Sequence, residues 1–274
     1  MKQILVATDF SNGAANAMEY ALDLARVLNM GVCAINAIPS MEGVGNNIFN
    51  AVFIEDYHNN KRAALKEWVS NLIGSDGKYK DVPVTTLCIV GSLKNVLSEY
   101  VSQNHVELLV MGITGSTGIT GIVGSNAGSV MEVVKIPTLI VPLEGKFPEK
   151  PAITLATDYE TRLSADDVNA LNEMVSAFGS DKMNILYVSD KAKDKNMETE
   201  ESKLQDLIKN AHLEFNYIWD SSTPNGIINF INDNETDILC LVKHHHNIVY
   251  RLFNRSTINQ VLNKSVKAVL VLHE

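Results

Sequence analysis

Glycines at 112, 115, 118, 121 and 124 crowd one polar stretch of this 274-residue chain, and Ser125 and Asn126 follow directly. Glycine lets a backbone come close to a ligand, and a helix start offers unpaired N–H groups to an anion. Ser125 and Asn126 are capping residue types, so the spacing predicts a helix from about Ala127 to Val134, stopped before Pro137. The apolar run Leu108 to Met111 ahead of the glycines reads as a buried strand, and Thr138 to Val141 behind the helix reads as another. Strand, glycine loop, helix, strand is an order that can bind a phosphate. Three readings compete: a plain flexible connection, a Rossmann dinucleotide turn, and a phosphate loop at a late strand. A dinucleotide turn would follow the first strand as GxGxxG, and no GK[ST] is present for a Walker A loop. The tight flanking by strands favours a site over a linker.

Other residues with chemistry to offer are weaker candidates. His244, His245 and His246 invite a metal reading, but neighbours on an extended chain point in alternate directions, so a solvated or interface loop is the expectation. Arg251 and Arg255 nearby could bind an anion. His105 stands just before a strand and reads as a solvated loop residue. Cys33, Cys88 and Cys240 are widely spaced in apolar segments and read as reduced core residues, which fits a cytoplasmic protein. No Ser/His/Asp set, paired carboxylates or cysteine nucleophile stands out at a strand end, so no catalytic residue is assigned.

Composition sets the frame for these candidates. Hydrophobic residues make up 46% and charged residues 20%, the balance of a globular protein with real cores. A net charge of −9 argues against nucleic-acid or anionic-membrane partners, which select clustered Lys and Arg. No apolar run approaches the ~18 residues of a membrane span. The opening MKQILVATDF enters a strand at once and does not read as a signal peptide.

The elements that must position the glycine stretch alternate strand and helix, which indicates a parallel sheet covered on both faces. Ile4 to Ala7 is a first strand ending in Thr8-Asp9-Phe10-Ser11, and Ser11 can cap a helix whose apolar positions run from Ala14 to Leu28. Val32 to Ile38 is the second strand, residues 40–55 read as a long Gly/Asn-rich connection, and a helix is expected from about Asp56 to Ile73. Val84 to Val90, a helix from Leu93 to Asn104, and Val106 to Met111 complete the series. The programme then repeats. Ile153 to Tyr159 matches Ile4 to Phe10 almost letter for letter, and Ser164–Phe178, Met183–Val188, Phe215–Trp219, Thr236–Leu241 and Val269–Leu272 follow in the same order. The charged Gly/Pro segment 144–150 divides the copies, giving expected domains of 1–145 and 150–274. The last strand of each copy is apolar and is expected at a sheet edge.

These features together, the opening ILVATDFS, the strand GVCAINAI and the late glycine loop leading to KIPTLIVP, resemble a tandem universal stress protein. The resemblance covers nearly the whole chain. It implies an α/β class fold of two tandem Rossmann-like domains, akin to the adenine nucleotide α-hydrolases, each with a five-stranded parallel sheet between helices. One branch of that family binds ATP and another does not. The resemblance places Asp9, with Ala7 and Thr8, beside the ribose. It also places the backbone of Ala37 at the adenine, Gly112, Gly115, Gly124 and Ser125 at the phosphates with Asn126 and Ala127 completing the helix start, and Met111 and Ser116 among the residues around the nucleotide. The plainer reading of Asp9 is that it brackets the first helix. Two departures bear on the phosphates: Ser116 to Val123 is eight residues where the family's ATP motif has nine, and no Lys or Arg lies between Gly112 and Glu132. Mg2+ would be the natural helper for a triphosphate.

In the second copy the matching positions are Val242, His245, Arg255 and Ser256, so every glycine of the motif is replaced although Asp158 is kept. That copy is expected to have lost nucleotide and kept a packing role. The function these residues imply is a non-enzymatic, ATP- or AMP-responsive stress module. Its partner is the nucleotide, its halves are paired as an intramolecular pseudo-dimer, and homodimerisation is a further expectation. The alternatives are a nucleotide-free dimerising protein and a slow adenylate hydrolase.

Overall fold

Most strands of this chain are short apolar runs with little polar alternation, as buried parallel strands require. In the computed structural model, which describes residues 2–40, 48–75, 77–113, 125–159, 163–189, 197–243 and 255–273, these runs form a single sheet. The first half supplies β1 (Gln3–Ala7), β2 (Gly31–Ile38), β3 (Val84–Val90), β4 (Val106–Gly112) and β5 (Thr138–Val141). The second half supplies β6 (Ile153–Ala156), β7 (Lys182–Ser189), β8 (His212–Trp219), β9 (Ile238–Lys243) and β10 (Ala268–His273). The order across the ten strands is β3-β2-β1-β4-β5-β10-β9-β6-β7-β8. Within each half every pairing is parallel. Between the halves β5 and β10 pair antiparallel, Leu139 opposite Leu270.

Each closing strand is thus the outer strand of its own half's five, as expected, and the pairing of these two edges with each other places both in the middle of the ten-stranded sheet. Their all-apolar faces explain why: residues Leu139 to Val141 and Val269 to Leu272 are no more than 1% exposed. The edges are β3 and β8, where polar and exposed residues interrupt the apolar pattern.

Helices cover both faces. On one side lie α1 (Asn12–Leu28), α2 (Ile48–Ile73), α5 (Ala165–Phe178) and α6 (Met197–Leu207), and on the other α3 (Leu93–Gln103), α4 (Ser125–Val133), α7 (Thr223–Asp233) and α8 (Arg255–Lys264). Ser11 caps α1 by accepting from Ala14 N at 3.2 Å, and Ser164 caps α5 by accepting from Asp167 N at 3.1 Å. Such caps contribute about 1 kcal/mol each. α2 starts eight residues ahead of the expected Asp56. Residues 48–55, IFNAVFIE, contain neither Gly nor Pro, so nothing local stops the helix from extending back. α4 begins at Ser125, two residues ahead of expectation. Residues 41–47 of the expected long connection lie outside the described residues.

The segment between the halves is held down on both sides. Asn16 on α1 donates to Pro142 O and Gly145 O, both at 2.8 Å. Phe147 stands edge-on to Tyr20 of α1 at 5.2 Å and to Phe178 of α5 at 5.8 Å. Tyr20 is 3% exposed, and its hydroxyl has no hydrogen-bond partner among the described residues. Burial pushes that phenol far above its ordinary pKa. A buried hydroxyl without a partner costs about 1–3 kcal/mol. Tyr20→Phe keeps the ring contacts and removes the orphan, so it should raise unfolding stability by about 1 kcal/mol in urea denaturation.

Cys33 and Cys240 are fully buried and Cys88 is half-buried; all three are free thiols. Among the described residues no helix is long and apolar enough to cross a membrane.

Candidate functional site

A parallel sheet opens a crevice where its connections diverge to opposite faces. In the first half that point lies between β1, which leads through α1 towards β2, and β4, which arrives through α3 on the other face. A cavity of about 410 Å3 occupies the carboxyl ends of the strands there. It is lined by Ala7, Thr8 and Asp9 from the end of β1, Asn36, Ala37, Pro39 and Ser40 from β2, Gly91, Ser92 and Leu93 after β3, Met111, Gly112 and Ile113 from β4, Ala14 of α1 and Ala127 of α4. Its volume falls within the ~300–1,000 Å3 usual for small-molecule sites.

The turn at the end of β1 is built by its own side chains. Thr8 N donates to Ile35 O of β2 at 2.9 Å, and Thr8 Oγ1 accepts from Phe10 N at 3.0 Å. Phe10 takes φ +67°, a left-handed conformation that strains a bulky residue by about 1–3 kcal/mol. Its ring packs edge-on against Trp68 of α2 at 5.9 Å, which helps hold it. Asp9 is exposed at the cavity wall, and its Oδ1 accepts from Ser11 N at 3.0 Å. Asp9 thus does bracket α1, while Oδ2 has no hydrogen-bond partner among the described residues and remains available to a ligand hydroxyl.

Gly112 has a packing reason to be glycine that needs no phosphate. A Cβ there would overlap Gly13 O and Gly13 C and stand 3.0 Å from Ala14 N. The first turn of α1 crosses the end of β4 backbone to backbone.

Sequence reasoning missed the other wall. Asn36 is the one polar side chain in the strand GVCAINAI, and it is buried with Nδ2 donating to Thr8 O at 2.7 Å. That bond ties β2 to the β1 turn and fixes the carboxamide beside the cavity. A lone polar residue inside a buried strand was the available signal. Gly91 takes φ +149°, and a Cβ there would stand 3.0 Å from Val96 Cγ2. Ser92 precedes α3 in N-cap position, makes no side-chain capping bond, and lines the same cavity.

Of the residues proposed from the sequence, Ala7, Thr8, Asp9, Ala37, Met111, Gly112 and Ala127 come together in this cavity. Gly115, Ser116 and Gly124 lie outside the described residues, as do the side chains of Ser125 and Asn126, whose backbone opens α4. Positive charge is brought near the β1 turn by α2, which sets Lys61 Nζ 5.5 Å from the Phe10 ring centroid. Burial pushes the neighbouring Cys88 thiol up, with Arg62 and Lys61 acting in the opposite sense. No group of three or more His, Cys, Asp or Glu able to hold a metal occurs among the described residues.

The second half repeats the turn and alters the walls. Thr157 N donates to Leu186 O at 2.9 Å, Thr157 Oγ1 accepts from Tyr159 N at 3.0 Å, and Tyr159 takes φ +59°. The strand registers then align Tyr187 with Asn36, Val188 with Ala37 and Val242 with Gly112. Val188 is 2% exposed and presses on α7, where a Cβ on Gly226 would stand 2.5 Å from Val188 Cγ1. Tyr187 packs tilted against Tyr159 at 5.4 Å and edge-on against Tyr217 at 6.2 Å. Val242 is tolerated because the chain has four more residues between Tyr159 and Ser164 than between Phe10 and Ser11, so α5 need not start on the strand end. Asp158 is buried where Asp9 is exposed. His244 to His246 and Arg251, with the side chain of Arg255, lie outside the described residues.

The universal stress protein family model matches residues 1–142. No curated protein matches the chain in sequence. Among solved structures, a universal stress protein of Archaeoglobus fulgidus superposes with a TM-score of 0.75 at 17% identity, over 99% of this chain and 98% of that one. A protein of Pseudomonas aeruginosa assigned to the same family superposes with a TM-score of 0.60 at 12% identity, over 99% and 92% of the two chains. At these identities the likeness is one of fold, and it extends over both halves.

Proposed function

The chain belongs to the universal stress protein family, and from that premise we propose that its first half binds an adenine nucleotide, ATP or AMP, and acts by binding rather than by catalysis. The observation that carries this reading is the cavity at the β1–β4 crevice, which gathers Asp9, Ala37, Met111, Gly112 and Ala127 near the start of α4. Asp9 Oδ2 would accept from ribose hydroxyls, as acidic residues do in dinucleotide folds. The backbone at Ala37 would read the adenine edge, and the N–H groups opening α4 would take phosphate. Asp9 is the only carboxylate lining the cavity among the described residues, so Mg2+ would arrive with the phosphates and neutralise charge the helix terminus cannot. In this reading the protein works in the cytoplasm, and the two halves form a covalent pseudo-dimer in which the second keeps the turn and the packing without the ligand. A stress signal would be read as a nucleotide-dependent shift in a surface of the first half, limited by the difference in affinity between its states.

Equilibrium dialysis of the full chain against labelled ATP and AMP tests the reading. Saturable binding of one nucleotide per chain is expected, and Asp9→Ala should weaken it by about tenfold or more, the loss of a charge-assisted hydrogen bond. No saturable binding at millimolar nucleotide would leave a nucleotide-free interaction protein in its place. Release of hydrolysis products that Asp9→Ala abolishes would make it an adenylate hydrolase instead.

A further inference from the structure

Helix α4 opens on the cavity at one end and meets the second half at the other. Its last carbonyls have no intrahelical partner, because the chain leaves the helix after Val133. Val134 N returns to Val130 O at 2.9 Å, and the next carbonyl, Met131 O, accepts from Lys243 Nζ at 2.6 Å. Lys243 is the final residue of β9, in the other half of the protein. Around this contact Gly128, Met131 and Glu132 of α4 adjoin Ile258 and Asn259 of α8, leaving a void of only about 10 Å3.

The contact breaks the symmetry of the two halves. The register that aligns Val242 with Gly112 aligns Lys243 with Ile113, which has no side-chain donor to return the contact. Ile113 instead lines the first-half cavity. One half lends a cation to the helix of the other, and receives none at the matching place.

From this juxtaposition we infer that Lys243 is a positioning residue for the first-half site, anchoring α4 from the second half so that the cavity-facing end of the helix is ordered before a ligand arrives. The inference rests on the nucleotide reading for the identity of the ligand but not for the anchoring itself. A cation at a helix C-terminus suits the helix dipole, and a bond to one of the last carbonyls suppresses fraying. α4 has nine residues, too short to hold itself by propensity, so an anchored last turn matters for the first turn as well. Ordering that is already present does not have to be supplied on binding. By reciprocity, a ligand at the α4 N-terminus strengthens the contact between the halves to the same extent. The second half thus retains a task in the site of the first.

The test uses the full chain as wild type, Lys243→Met and Lys243→Arg, with unfolding midpoints measured for each. Without ligand, hydrogen exchange of the α4 amides should be about five- to thirtyfold faster in Lys243→Met, the range expected for a half-buried cation at a helix end, and near wild type in Lys243→Arg. The same variants are titrated with ATP, where Lys243→Met should weaken binding several-fold and Lys243→Arg should restore it. Unchanged α4 exchange in Lys243→Met overturns the inference, as does faster exchange with unaltered ATP affinity. Failure of Lys243→Arg to restore either property also overturns it. A wild type that binds no nucleotide removes the nucleotide reading and, with it, Lys243 as a residue of a nucleotide site; α4 exchange then decides the anchoring alone.

Discussion

Gly112→Ala should destabilise the protein by about 3 kcal/mol, the upper end of the usual cost of overpacking, and lower its thermal midpoint accordingly. The reason is steric and local. The methyl group would overlap the carbonyl of Gly13, and both colliding parts are backbone, one in a central strand and one in the capped first turn of α1. A flexible side chain could swing aside; these atoms cannot. Gly112 is not among the glycines with positive φ, so the penalty carries no backbone-strain component. Gly179→Ala supplies the contrast. Gly179 sits at φ +61° in open space, and its substitution should cost about 1 kcal/mol from conformation alone. Chemical denaturation of both variants checks the order. Equal losses would mean that α1 yields, and Gly112 would then owe its identity to a ligand.

Ala37→Leu should abolish nucleotide binding, by at least about a hundredfold, while leaving the fold intact. Ala37 is a half-buried residue on the cavity wall, so a larger side chain has about 410 Å3 of space to enter instead of a packed core. The second half shows what a larger residue does at this position: Val188 is buried there against α7, with Gly226 making room. In the first half the helix position four residues past the cap is Val96, not glycine, so the added side chain has less room on that side and points into the ligand's space. A steric block that costs the ligand about 3 kcal/mol corresponds to somewhat more than a hundredfold in affinity. Titration with a fluorescent ATP analogue, alongside an unfolding curve, checks both halves of the statement. Full binding by a folded Ala37→Leu protein would mean that the nucleotide does not use this wall.

Much of the fold was legible because its signals are local and repeated. The near-identity of Ile4–Phe10 and Ile153–Tyr159 announces two copies, and the structure makes the same threonine-held turn from each, with Phe10 and Tyr159 both at positive φ. That β5 and β10 close their own halves was legible; that they join the two halves into one sheet was not. An apolar strand reads the same whether it closes one sheet or joins two, and the antiparallel pairing of Leu139 with Leu270 depends on where the second copy folds. The early start of α2 was hidden because asparagines and the glycines before residue 48 suggest a loop.

Asp9 was placed by the family resemblance and Gly112 by the glycine crowding and the same resemblance; both line the cavity, and the structure gives each a further task. Asp9 both brackets α1 and presents Oδ2, and Gly112 admits the backbone of α1. Asn36, Gly91 and Ser92 were missed because their contribution depends on which strand ends are neighbours, a property of topology and not of spacing. Lys243 lies far in sequence from the helix it holds, and nothing near it in the chain marks it out.

The central claim is that the crevice between β1 and β4 takes an adenine nucleotide while its counterpart in the second half does not. A crystal structure grown with ATP and Mg2+ tests it most directly. The account predicts density with the base against Ala37, the ribose within hydrogen-bond distance of Asp9 Oδ2, and phosphate at the first turn of α4. A first-half crevice closed by its own side chains, or nucleotide seated only beside Asp158 in the second half, would contradict it.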